Sequence, residues 1–138
     1  MALNAAAEPI KSSDLVGRWI YVGFIYEGHR YERPNPDLHL YFNFNSDGSH
    51  RLFWRRKGER KFCERSGPYS VSENKLRIKV AWLNPENDFS CANDPDMQLG
   101  RETENLIRIA DQDLGIYMSL NGQEFIYLLR KLTLDPEN

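Results

Sequence analysis

Long apolar runs are missing from this chain of 138 residues: no stretch of about 18 consecutive apolar residues occurs, which excludes a bilayer-spanning helix. Charge of one sign is missing too. Twenty acidic residues against 18 basic leave a net charge of −2, so nucleic acid or an anionic surface would have to be recognised through a local patch. Cysteine is scarce, with only Cys63 and Cys91 and no CxxC pair, which excludes a thioredoxin-like redox centre and a Cys-rich zinc site. No Ser-His-Asp order, Gly-x-Ser-x-Gly elbow, P-loop or Gly-x-Gly-x-x-Gly run is readable. The three histidines, His29, His39 and His50, have no carboxylate or cysteine at metal-ligand spacing. Surface positions are expected for them, and neither a metal nor any other cofactor is expected. The chain reads as a non-enzyme, without internal repeats or low-complexity segments.

What it does have is aromatic side chains, 12% of residues, with nine glycines, and a period of two that runs almost unbroken from Val16. Residues 1–14 lack periodicity and read as a flexible arm, followed by one domain over 15–134. Strands are expected over 16–26, 38–44, 50–56, 61–71, 75–82, 102–109, 114–120 and 124–132, separated by turn residues such as Asp47-Gly48, Lys57-Gly58 and Asn121-Gly122. A loop with Pro34 and Pro36 follows the first strand, and an acidic one over 84–96 follows the fifth. Eight antiparallel strands joined by short hairpins can close on themselves and abolish exposed edges. The expected fold is therefore all-β, an eight-stranded antiparallel up-and-down barrel. A two-sheet sandwich is the structural alternative, with crossovers at 27–37 and 84–98.

Leu15-Val16-Gly17-Arg18-Trp19 at the start of the first strand and Arg130 at the end of the last resemble the lipocalin and calycin group, in particular short bacterial lipocalin-like domains. Gly67-Pro68-Tyr69-Ser70-Val71 and Phe44-Asn45-Ser46-Asp47-Gly48 are similar to stretches of the same domains. The resemblance implies that Trp19 closes the base of the barrel, that Arg130 packs across it by cation–π attraction, and that Gly17 permits close backbone approach. The Thr-Asp-Tyr motif of full lipocalins is replaced by Ala110-Asp111-Gln112, and six residues after Leu132 leave no room for their C-terminal helix, so a minimal barrel is expected.

Alternation places Tyr21, Phe42, Trp54, Tyr69, Trp82 and Met118 on inward faces, as the walls of a ligand cup or as the filling of a solid barrel. The favoured reading is a small, mainly apolar molecule held in the cup. A second reading is an exported protein-binding or inhibitor module that presents loop 84–98, with Asp88 and Phe89 at the contact. A third, ranked lower, is a nucleic-acid binder through residues 51–61, where six basic residues surround Phe53 and Trp54. Glu102 and Glu104, two apart on one strand face, are expected in water.

Cys63 and Cys91 either remain free thiols or close a loop of 29 residues, worth roughly 3–4 kcal/mol if bonded. A bridge fits an exported protein. The small, uncharged run Leu3-Asn4-Ala5-Ala6-Ala7 is of the kind found beside a signal-peptidase cut, and points to a periplasmic or secreted location.

Overall fold

The computed structural model describes residues 9–32, 35–120 and 122–132. Ten strands form in chain order: β1 (Gly17–Tyr26), β2 (His29–Glu32), β3 (Leu38–Phe44), β4 (Ser49–Arg56), β5 (Phe62–Ser72), β6 (Lys75–Lys79), β7 (Trp82–Leu83), β8 (Glu102–Ala110), β9 (Asp113–Leu120) and β10 (Gln123–Lys131). Eight of them pair antiparallel in chain order, β1-β3-β4-β5-β6-β8-β9-β10, and β10 pairs back onto β1, so the sheet closes as the expected up-and-down barrel. The other two are short. β2 folds back on the second half of β1, and β7 pairs with β5.

Turn chemistry sets the connections. Gly48 at φ +88° closes the Asn45–Ser49 turn, and Glu73 and Asn74, both at positive φ, make the tight turn between β5 and β6. Asn121 of the expected Asn-Gly hairpin lies outside the described residues.

One end of the barrel is closed by packing. Residues 12–15, within and just after the stretch read as an arm, form a helical turn, α1 (Ser12–Leu15), which delivers Leu15 into the core. The indole Nε1 of Trp19 donates to the Leu15 carbonyl at 2.8 Å, so the ring is buried with its one polar atom satisfied. Leu114, Leu129 and Phe44 complete the base. The cation over Trp19 is not Arg130, as the resemblance implied, but Lys131, whose Nζ stands 5.4 Å from the ring. Period two explains the correction. Leu129 is inward and fully buried, so Arg130 points outward, where it binds Asp113 at 2.8 Å, and Lys131 turns in across from Trp19. At Gly17 the close neighbour is a side chain rather than the backbone approach that the resemblance implied: the residue stands at φ +134°, and a Cβ there would lie 2.8 Å from Lys131 Cε.

The β6 ladder breaks at Val80 and Ala81, which bond instead to Arg101 and Ser66. Val80 is inward, while Ala81 and Trp82 both face out, so the alternation slips by one residue. Gly67 makes the crossing feasible, because the chain at Lys79 and Ala81 runs where a Cβ would stand. Between β7 and β8, 3-10 turns at Phe89–Asn93 and Pro95–Met97 fold back on β5 and bury Cys91 and Met97. The disulfide Cys63–Cys91 pins this loop. Asn87 adds two bonds to the Glu64 backbone, and the Glu64 carboxylate takes Asn84 and Arg51.

Candidate functional site

At the end of the barrel opposite Trp19, inward side chains leave a cavity of about 530 Å³. That is within the range of small-molecule sites and far too large for a packing defect. Its walls follow the period of two: Leu40 and Phe42 from β3, Leu52 and Trp54 from β4, Leu76 and Ile78 from β6, with Ile116 from β9. Adjacent strands put these residues level with one another, as the register Leu40↔Trp54 and Phe42↔Leu52 requires. Arg65, Thr103, Asn105, Ser119 and Tyr127 add polar groups to this wall. At the rim, Arg56 and Arg101 alternate with Asp94, Asp96 and Glu104.

Of the six side chains assigned to the cup from sequence, Phe42, Trp54 and Met118 line it. Tyr21 is buried one layer away, its ring stacked at 4.8 Å on Tyr127, which does line it. Tyr69 belongs to the closed half, where its hydroxyl donates to the Asn45 carbonyl at 3.0 Å and its ring meets Phe44 edge-on. Trp82 is 44% exposed on the outside, displaced by the slip at Val80–Ala81. The cup therefore has one indole in its wall, Trp54, and this is why space remains.

Sequence reasoning missed the cup's polar core. His50 is fully buried, with Nδ1 donating 2.8 Å to the Gly67 carbonyl and Nε2 accepting from Arg65 Nε at 3.2 Å. Burial and the neighbouring Arg65 cation lower its pKa to about 4, which keeps the ring neutral, and the Gly67 carbonyl at Nδ1 with the Arg65 donor at Nε2 fixes the tautomer. Arg65 is itself buried, tied also through Nη1 to the Asp96 carbonyl at 2.7 Å, and stands 5.9 Å from the Phe42 ring centre. Burial brings its pKa down to about 10, so it stays charged at neutral pH. Tyr127, pushed up to about 12 by burial first and by Tyr21, Asp96 and Asp94 after it, remains a neutral phenol. The signal for the two basic groups was available. Alternation from Leu52 and Trp54 puts His50 inward, and alternation from Tyr69 through Gly67 puts Arg65 inward.

The basic hairpin lies on the outer wall. Phe53 is half-buried between Tyr41 and Phe62, with ring centres 5.3 and 5.6 Å away. Arg51 is paired with Glu64, which ties part of the basic run to an acid. Glu102 and Glu104 face out as expected, with Glu104 2.6 Å from Arg77. Among the described residues no cluster of His, Cys, Asp and Glu is placed to hold a metal, and no helix is long and apolar enough to cross a membrane.

No family model matches the chain, and no curated protein matches it. Solved structures do. A lipocalin-like protein from Bacteroides uniformis superposes with a TM-score of 0.57 at 20% identity, over 86% of this chain and 99% of that one. An uncharacterized protein from Bacteroides eggerthii gives 0.59 at 18% identity, over 86% of this chain and 100% of that one.

Proposed function

From a lipocalin-like fold, closed at one end and open at the other, we propose that this protein binds one small, mainly apolar molecule in its barrel. The observation that carries this reading is the cavity of about 530 Å³, with an apolar wall of Leu, Ile, Phe and Trp side chains beneath a mouth of charged ones. Phe42 and Trp54 are the contact rings, with Met118 at the mouth. Tyr21 supports the wall from behind through Tyr127, Tyr69 packs in the closed half, and Trp19 with Lys131 closes the base. The role is binding without catalysis. A disulfide fits an oxidising compartment, and we assign the protein to the periplasm or the exterior.

The test is titration with N-phenyl-1-naphthylamine, an uncharged fluorescent probe. Saturable binding with quenching of tryptophan emission is expected, with affinity reduced several-fold by Trp54→Ala and unchanged by Trp82→Ala. Absence of binding at high micromolar probe contradicts the reading.

A second reading, a protein-binding module that presents loop 84–98, is favoured by Phe89, which is 95% exposed on a loop pinned by the disulfide. It predicts that Phe89→Ser abolishes capture of a protein partner while Trp54→Ala does not. Loss of capture with Trp54→Ala, or its persistence in Phe89→Ser, removes this reading.

A further inference from the structure

Resting on the cup reading above, we propose that the ligand is amphipathic, with a carboxylate head that binds the Arg65 guanidinium and an apolar tail against the cup walls. Arg65 is 5% exposed and lines the cavity, yet no carboxylate makes an ion pair with it among the described residues. Three arginines that are far more exposed do have a carboxylate partner. Arg51 meets Glu64, Arg77 meets Glu104 and Arg130 meets Asp113. A buried cation is costly unless an anion or a full set of hydrogen bonds answers it.

Arg65 has only part of that set. A guanidinium carries five N–H donors. The one on Nε goes to His50 and one on Nη1 goes to the Asp96 carbonyl, both neutral acceptors, and Nη2 makes no hydrogen bond to any described residue. Donors therefore remain on a side chain that faces the cavity, and a planar fork of two N–H groups matches a carboxylate.

The group is also held in place before any ligand arrives. His50 is locked by its bond to Gly67, and its Nε2 in turn fixes the guanidinium; the Asp96 carbonyl fixes the other side. Preorganisation of this kind lowers the entropy lost on binding. Register sets the depth. Arg65 lies opposite Leu52, which is two residues farther from the mouth than Trp54. A head at Arg65 thus leaves Leu40, Trp54 and Met118 for the tail. Asp94, Asp96 and Glu104 outnumber Arg56 and Arg101 at the rim, but with Arg65 the cations and carboxylates of the cup match three to three, and the Asp94 carboxylate is engaged by the Asp96 N–H at 2.8 Å.

The experiment compares cis-parinaric acid with its methyl ester, which differ in head charge and hardly in tail, at neutral pH on the whole chain. The wild type is expected to bind the acid at least roughly tenfold more tightly than the ester, the scale of a charge-assisted bond in a dry site. Arg65→Gln is expected to level the two by weakening the acid alone, and Arg65→Lys to keep part of the preference. Circular dichroism checks that each variant is folded. If Arg65→Gln does not fold, the wild-type pair and Arg65→Lys decide. Equal binding of acid and ester by the wild type, or an undiminished preference in folded Arg65→Gln, overturns the head-group assignment and leaves the cup standing. Failure of both probes to bind overturns the cup reading, and the head-group assignment with it.

Discussion

His50 and Arg65 meet in the middle of the barrel, and their pairing has a measurable pH signature. The folded chain holds the His50 pKa at about 4 against 6.5 for the free ring, so the unfolded chain takes up the proton first. Stability from this residue is complete above about pH 6.5 and is lost as pH falls from there toward about 4, by up to roughly 3 kcal/mol. Urea midpoints measured at about pH 7 and about pH 5 are expected to fall for the wild type. In His50→Gln, which keeps a donor and an acceptor but does not titrate, the drop is expected to be smaller. An equal drop in both proteins contradicts the assignment. Gly17 gives a second test at this scale. Gly17→Ala places a side chain at φ +134° and against Lys131, and is expected to cost about 1–3 kcal/mol in denaturant unfolding. Lys131→Ala in the same chain is expected to restore only part, because the backbone strain persists.

At the scale of elements, the strands were legible because each is a half-buried ladder whose inward and outward residues differ in polarity. Leu40, Phe42 and Phe44 against His39, Tyr41 and Asn43 is such a pattern, and the barrel strands fall close to where it puts them. The cup was legible only in part. Trp82 was misplaced because the slip at Val80–Ala81 depends on how β6 crosses Gly67, a tertiary contact without a local mark. The resemblance points to Arg130, whereas alternation from Leu129 points one residue on, to Lys131. β2 reads as loop in the sequence, since His29–Glu32 is exposed along its length and has no apolar face to announce it. The loop between β7 and β8 holds a further prediction. Its bridge, its Asn87 clamp and the Asp96 carbonyl on Arg65 act together. Replacement of both cysteines by serine is expected to lower stability by roughly 3–4 kcal/mol. It is also expected to speed proteolysis within 84–100 more than elsewhere, as mass mapping of early cuts will show. Uniform proteolysis would contradict a local anchoring role.

On the scale of the whole molecule, the barrel is asymmetric. One end is filled by Leu15, Trp19 and Phe44, and the other is left open above Phe42 and Leu52. If the open half is a cup, filling it removes function without harm to the fold. Ile116→Trp is expected to keep the far-ultraviolet spectrum and to shift stability by less than about 3 kcal/mol, while abolishing uptake of N-phenyl-1-naphthylamine. Retained uptake in that variant would place the probe elsewhere. Where an apolar molecule sits decides the account most directly, and nuclear Overhauser contacts between bound N-phenyl-1-naphthylamine and methyl-labelled protein measure it. Contacts are expected to the methyls of Leu40, Leu52 and Ile116. Contacts confined to Leu99, Leu106 or other outer methyls would contradict a ligand-binding cup.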